Sequence, residues 1–213
     1  KSTLVKLISG AELPDEGSIA LAGQERHFSS PHDALAAGIA TIYQELAVAP
    51  RMAIYQNIFL GSEIERRVAG VRLLDKKAMI ERSLFYLREL KSTLADMRLP
   101  VEQLSGGQRQ AVAISRALRW QARIIILDEP TAALGVRETE VVLDLIRRLK
   151  ERGTTVILVS HNMNDIVAVA DRVTILHTGH LVGTIPTDGL AAGTLSQMIL
   201  SGDMGNGLRR DRA

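Results

Sequence analysis

Arg123-Ile124-Ile125-Ile126-Leu127-Asp128-Glu129-Pro130 is a short apolar run, rich in β-branched residues, that ends on two adjacent carboxylates and a proline. Such a run predicts a strand buried on both faces of a parallel sheet. Downstream, the spacing predicts an amphipathic helix over 138–152 closed by Gly153, then a second buried strand over 155–159. Strand, helix, strand in that order is a βαβ unit, so the fold class is α/β with a mostly parallel sheet. Open sheets of this class present ligands at the C-terminal ends of their strands, where Asp128 and Glu129 fall. Adjacent carboxylates suit phosphoryl transfer, since one can hold a magnesium shell while the other orients or deprotonates a water. The plainer reading is an ordinary strand end with solvated acids.

Upstream, Leu104-Ser105-Gly106-Gly107-Gln108 precedes a helix that runs through Ala113, Ile114 and Leu118, which sets Ser105, Gly106, Gly107 and Gln108 at a helix N-terminus. Exposed amides and the helix dipole favour an anion there, and glycine lets a ligand approach the backbone. A turn and cap is the alternative. Combined with Asp128-Glu129 downstream, the phosphate reading is much the stronger.

The rest of the chain supplies the frame. Residues 1–9 read as a buried helix stopping at Gly10, residues 17–28 as a β-hairpin turning at Ala22-Gly23, and residues 39–43 as a strand leading to Gln44. From Ala53 to Gln121 the pattern is mostly helical, with Ile80, Leu84, Leu87 and Leu90 spaced by threes and fours. A late hairpin turns at Thr178-Gly179, and a final helix covers about 190–200.

Composition narrows the class. Hydrophobic residues make up 46% of the 213 and charged residues 23%, the balance of a globular protein with a sizeable core. No apolar run reaches the ~18 to 20 residues needed to cross a bilayer, so a membrane role would come through a partner. With 26 Lys and Arg against 24 Asp and Glu the chain is near neutral, and no nucleic-acid partner is expected. Its basic cluster, Arg209-Arg210-Asp211-Arg212, reads as a solvated terminus. There is no cysteine, hence no disulfide or thiolate metal site.

These motifs resemble those of the ATP-binding cassettes of ABC transporters. Leu104 to Gln108 is similar to the signature motif and Ile124 to Glu129 to the Walker B strand. The resemblance extends in order to Lys1-Ser2-Thr3 as the end of a P-loop, Gln44 as the Q-loop glutamine and His161 as the switch histidine. It implies a P-loop NTPase core with an antiparallel β portion and an inserted helical subdomain at about 45–121, all one ATPase domain over 1–213. It also implies ATP and Mg²⁺ as cofactors. Lys1, Ser2 and Thr3 would then meet the phosphates, with Ser2, Gln44 and Asp128 around Mg²⁺. Glu129, His161 and Gln44 would serve catalysis. Ser105, Gly106, Gly107 and Gln108 would serve the ATP of a second cassette in a head-to-tail dimer. Further expected partners are integral-membrane permease subunits and, indirectly, a periplasmic or extracellular sugar-binding protein. The expected place is the cytoplasmic face of the cell membrane, peripherally. His27, His32, His177 and His180 match no motif and read as surface or hairpin residues.

The pattern departs from the family's at two points. The glycine-rich part of the P-loop does not precede Lys1, which predicts a fragment that binds ATP poorly by itself. After Thr131-Ala132-Ala133-Leu134 stands Gly135, where an aspartate is common. This stretch, together with Ser160-His161-Asn162-Met163-Asn164, resembles uptake ATPases for simple sugars of the ribose, xylose and fructose type. The expected function is therefore ATP hydrolysis driving uptake of a simple sugar. Two alternatives stay open: a soluble ABC ATPase acting on ribosomes or DNA, and a cassette that binds nucleotide without hydrolysing it.

Overall fold

The computed structural model describes residues 1–68 and 70–204; the basic cluster at 209–212 lies outside them. At its centre are three parallel strands, β3 (Ile39–Ile42), β6 (Ile124–Asp128) and β7 (Thr155–Val159), in the order β3-β6-β7. Around them the chain runs α1 (Ser2–Ile8), β1 (Ile19–Leu21), β2 (Gln24–Arg26), α2 (Pro31–Ala36), β3, α3 (Ile54–Phe59), β4 (Glu65–Val68), β5 (Val71–Leu74), α4 (Lys76–Glu89) and α5 (Gly106–Arg119). After β6 come α6 (Val136–Glu151), β7, α7 (Met163–Val169), β8 (Arg172–His177), β9 (His180–Pro186) and α8 (Ala192–Ser201).

Register decides what the sheet presents. Ile42 lies beside Leu127, Leu127 beside Leu158, and Asp128 beside Val159, so all three strands end at one level. The segments that follow them, beginning at Tyr43, Glu129 and Ser160, therefore emerge on one rim. Ile125, Ile126 and Leu127 are fully buried, as the apolar run predicts. Each such side chain contributes about 1.5–3 kcal/mol relative to exposure. Ile125 and Leu127 join a core shared with Ile54, Ile58 and Phe59 of α3, Met79 and Leu87 of α4, and Val112 and Ile114 of α5. Ile126 faces the other way, onto Val5, Phe28, Ala34 and Ile39.

Three expectations need correction. The first helix is only partly buried: Val5 is covered and Leu7 and Ile8 half-covered, while Leu4 is 46% exposed, because α1 meets the sheet along one side only, at the cluster around Ile126. The strand at 155–159 is only half-covered, with Ile157 36% exposed. The core takes Val156 and Leu158, and α1's cluster reaches β7 only at Val159. The helical stretch after Ala53 contains an antiparallel hairpin, β4-β5, whose residues are all exposed. With no buried face, that hairpin leaves no alternation in the sequence to read. The expected hairpin at Ala22-Gly23 forms, as does the late one, where His177 pairs with His180 across the turn.

Candidate functional site

The turn after β6 carries the site. Glu129 adopts φ 50°, left-handed backbone that a non-glycine residue avoids at a cost of about 1–3 kcal/mol. Its amide donates to the Val159 carbonyl at 2.8 Å, tying the turn to the end of β7. The side chain, 16% exposed, gathers three groups. His161 Nδ1 lies 2.6 Å from Glu129 Oε2, and the His161 backbone amide donates to the same oxygen at 3.3 Å. Lys1 Nζ stands 3.5 Å from Oε1 and donates to the Ser160 carbonyl at 3.4 Å. A carboxylate, an imidazole and an ammonium, distant in sequence, thus meet at one strand end.

Asp128 sits on the same rim. Burial and the neighbouring Glu129 charge push its carboxyl above the usual carboxylate range, while Lys1 acts the other way. Ser2 and Thr3 open α1 and are exposed beside Lys1. Gln44 follows β3 on the same rim, exposed, two residues beyond Ile42. Lys1, Ser2, Thr3, Gln44, Asp128, Glu129 and His161 therefore share one end of the sheet. Among the described residues no three or more His, Cys, Asp or Glu side chains form a metal cage. The donors present, a carboxylate, a hydroxyl and an amide, suit a hard divalent cation held partly by phosphate oxygens rather than by protein alone.

Ser105 to Gln108 form a separate cluster at the N-terminus of α5. Ser105 caps the helix: its Oγ accepts from the Gln108 amide at 3.3 Å, and Gln108 Oε1 accepts from the Ser105 amide at 3.0 Å. Gly106 and Gly107 are buried, and the packing gives them a role beyond the ligand approach expected from sequence. A Cβ on Gly106 would overlap Leu134 Cδ2, and one on Gly107 would lie 3.2 Å from Val141 Cγ1. The two glycines let α5 close onto the start of α6.

Sequence reading missed the residues that brace these motifs. Glu138 accepts from the Gly106 amide at 2.8 Å and from the Gly135 amide at 3.4 Å, joining the two helix starts. Gln110, buried, donates to the Pro130 carbonyl at 3.0 Å, one residue past Glu129. Asp165 accepts from Thr131 and Asn162. An acid in the first turn of α6 or α7 was the only signal available, and helix capping accounts for such an acid equally well.

Residues 1–132 match the profile of the family described as ABC transporter. Across 182 residues the chain is 46% identical to the xylose/arabinose import ATP-binding protein XylG of Sulfolobus acidocaldarius, covering 85% of this chain and 71% of that protein. It is 46% identical over 185 residues to the fructose import ATP-binding protein FrcA of Rhizobium meliloti, covering 84% and 70%. The ribose import ATP-binding protein RbsA of Burkholderia mallei is 39% identical over 200 residues, with 94% of this chain but only 39% of that protein covered. Among solved structures, the dimeric post-hydrolysis state of an ATP-binding cassette bound to ADP and Pi matches with TM-score 0.68 and 25% identity, covering 87% of this chain and 80% of that one. A second cassette of an ABC transporter matches with TM-score 0.78 at 21% identity over 94% and 82%, which speaks for the fold alone. With more than half its length matching the family profile and two relatives at 46% identity, the chain belongs to the ABC transporter family, as one of its ATP-binding cassettes.

Proposed function

We propose that this chain is the ATP-hydrolysing part of an importer that takes up a simple sugar, and that residues 1–213 form one cassette with a helical subdomain at about 45–121. The observation that carries the chemistry is the meeting of Lys1, Glu129 and His161 at the end of β6. The sugar assignment is supported by relatives named for import of xylose, arabinose, fructose and ribose.

In this reading Lys1 would pair with the β- and γ-phosphates of ATP, and Ser2, Asp128 and Gln44 would hold Mg²⁺, with Thr3 contributing to the phosphate site. Mg²⁺, when bound, neutralises phosphate charge and fixes the geometry of the transferring group. Glu129 accepts the proton of the attacking water, and the Glu129 contact orients the His161 ring toward the developing charge. Ser105 and Gln108, remote in sequence from this cluster and exposed or half-exposed, face the nucleotide of a second cassette, with Gly106 and Gly107 behind them. A dimeric cassette among the similar structures supports that arrangement. Coupling to transport is assigned to a permease at the cytoplasmic face, which the relatives named for import support; no helix among the described residues is long and apolar enough to cross a membrane. A sugar-binding protein would supply that permease from outside.

Uptake of labelled pentoses and hexoses by cells with and without the gene tests this reading. Loss of uptake of one sugar, restored by the wild-type gene and not by Glu129→Gln, is expected. Unchanged uptake of every sugar, with the protein sedimenting on ribosomes instead, would overturn it.

A further inference from the structure

We infer that Asp165 is a positioning residue that sets the distance between Glu129 and His161. The inference rests on the catalytic reading of those two residues given above. Asp165 is 5% exposed, and both of its oxygens are engaged. Oδ2 accepts from the Thr131 hydroxyl at 2.6 Å, and Oδ1 accepts from Asn162 Nδ2 at 3.0 Å. Thr131 lies two residues after Glu129, and Asn162 directly follows His161. One buried carboxylate therefore clamps together the two loops that carry the reacting side chains.

The surrounding bonds make the clamp specific to those loops. Asn162 spends its own oxygen on the Asn164 amide at 3.1 Å, capping α7, so Asp165 is not needed for that cap. The Asn162 amide donates to Ser160 Oγ at 3.0 Å, and Ser160 is buried, so His161 is framed from both sides. On the other loop Gln110 holds the Pro130 carbonyl, which leaves the Thr131 hydroxyl as the contact that faces α7. Glu129 is held in left-handed backbone between these anchors. Releasing one anchor lets the 2.6 Å contact between Glu129 and His161 drift, and a drift of about 1 Å in a catalytic group can cost ~10²-fold in rate.

The test compares kcat and KM for ATP hydrolysis in the gene-encoded protein and its variants. Asp165→Ala is expected to lower kcat by about 10- to 100-fold with KM for ATP within about 3-fold, since the nucleotide-binding groups stay in place. Asp165→Asn is expected to recover most of that loss: its oxygen still meets Asn162 Nδ2, and the Thr131 hydroxyl can turn to accept from the new amide. Thr131→Val, which keeps volume and the carboxylate, reads the same clamp if Asp165→Ala fails to fold, and should lower kcat several-fold. On a His161→Ala background either substitution should add almost nothing. If Glu129→Gln and His161→Ala impair turnover while Asp165→Ala and Thr131→Val match wild type, the clamp is refuted. Losses that persist in full on the His161→Ala background refute it equally. If Glu129→Gln and His161→Ala themselves turn over normally, it is the catalytic reading that fails.

Discussion

Glu129 and His161 meet at 2.6 Å through Oε2 and Nδ1, and the same oxygen accepts the His161 backbone amide at 3.3 Å. Contact through Nδ1 fixes the ring's orientation and reserves Nε2 for whatever approaches from the open side, where the His161 side chain is largely exposed. In the proposed chemistry the two residues act as one unit. Removing the ring by His161→Ala is therefore expected to lower kcat by about 10²- to 10³-fold. Combining it with Glu129→Gln should cost far less than the product of the single losses, and fully multiplicative losses in steady-state turnover would contradict the coupling.

Gly106 offers a test of packing in which the sign of the effect carries the information. Ala is a better helix former than Gly by about 1 kcal/mol in a helix interior and by less at the first position of a helix, where Gly106 stands, so Gly106→Ala would stabilise α5 slightly if nothing stood in the way. The new methyl instead overlaps Leu134 Cδ2, the end of a half-buried side chain that must swing aside, and overpacking costs about 1–3 kcal/mol where the neighbour is held in place, here between α5 and α6. Net destabilisation is expected in denaturant unfolding. On a Leu134→Ala background the same change should turn neutral or slightly stabilising. A stabilised single variant would show that α5 and α6 are not so closely apposed.

Asp128 makes stability depend on pH with a definite sign. Burial and Glu129 raise its folded pKa above the unfolded value, so at low pH both states hold the proton and the group contributes nothing. As pH climbs past about 3.9 the unfolded chain releases its proton first, and folded stability falls until pH exceeds the raised value. The deficit then persists to neutral pH. Asp128→Asn should therefore melt higher than wild type near neutrality in ligand-free protein, with the difference vanishing toward pH of about 3. A lower Tm for the variant at neutral pH would contradict this account.

Much of the site was legible because its residues lie at strand ends that sequence marks well. The apolar run at 124–127 announces β6, and the acids that follow can only emerge on the rim. Gln44 and His161 follow strands of the same parallel set, but the family resemblance, rather than their position, singled them out. What stayed hidden depends on neighbours brought together by folding. The hairpin of β4 and β5 buries no face, and Asp165 and Glu138 look like ordinary helix-start acids until Thr131 and Gly106 are seen beside them. The glycines at 106 and 107 read in sequence as clearance for a ligand, and the packing adds clearance for a neighbouring helix that no local pattern announces.

The central claim is that Glu129 is the base for ATP hydrolysis, and one substitution tests it most directly. Glu129→Gln keeps the size of the side chain and an oxygen to accept from His161, but it cannot take a proton from water. ATP turnover by the gene-encoded protein, with nucleotide binding measured alongside, should fall by about 10²- to 10⁴-fold while affinity stays within a few-fold. Turnover equal to wild type would remove Glu129 from the chemistry and with it the account of this site.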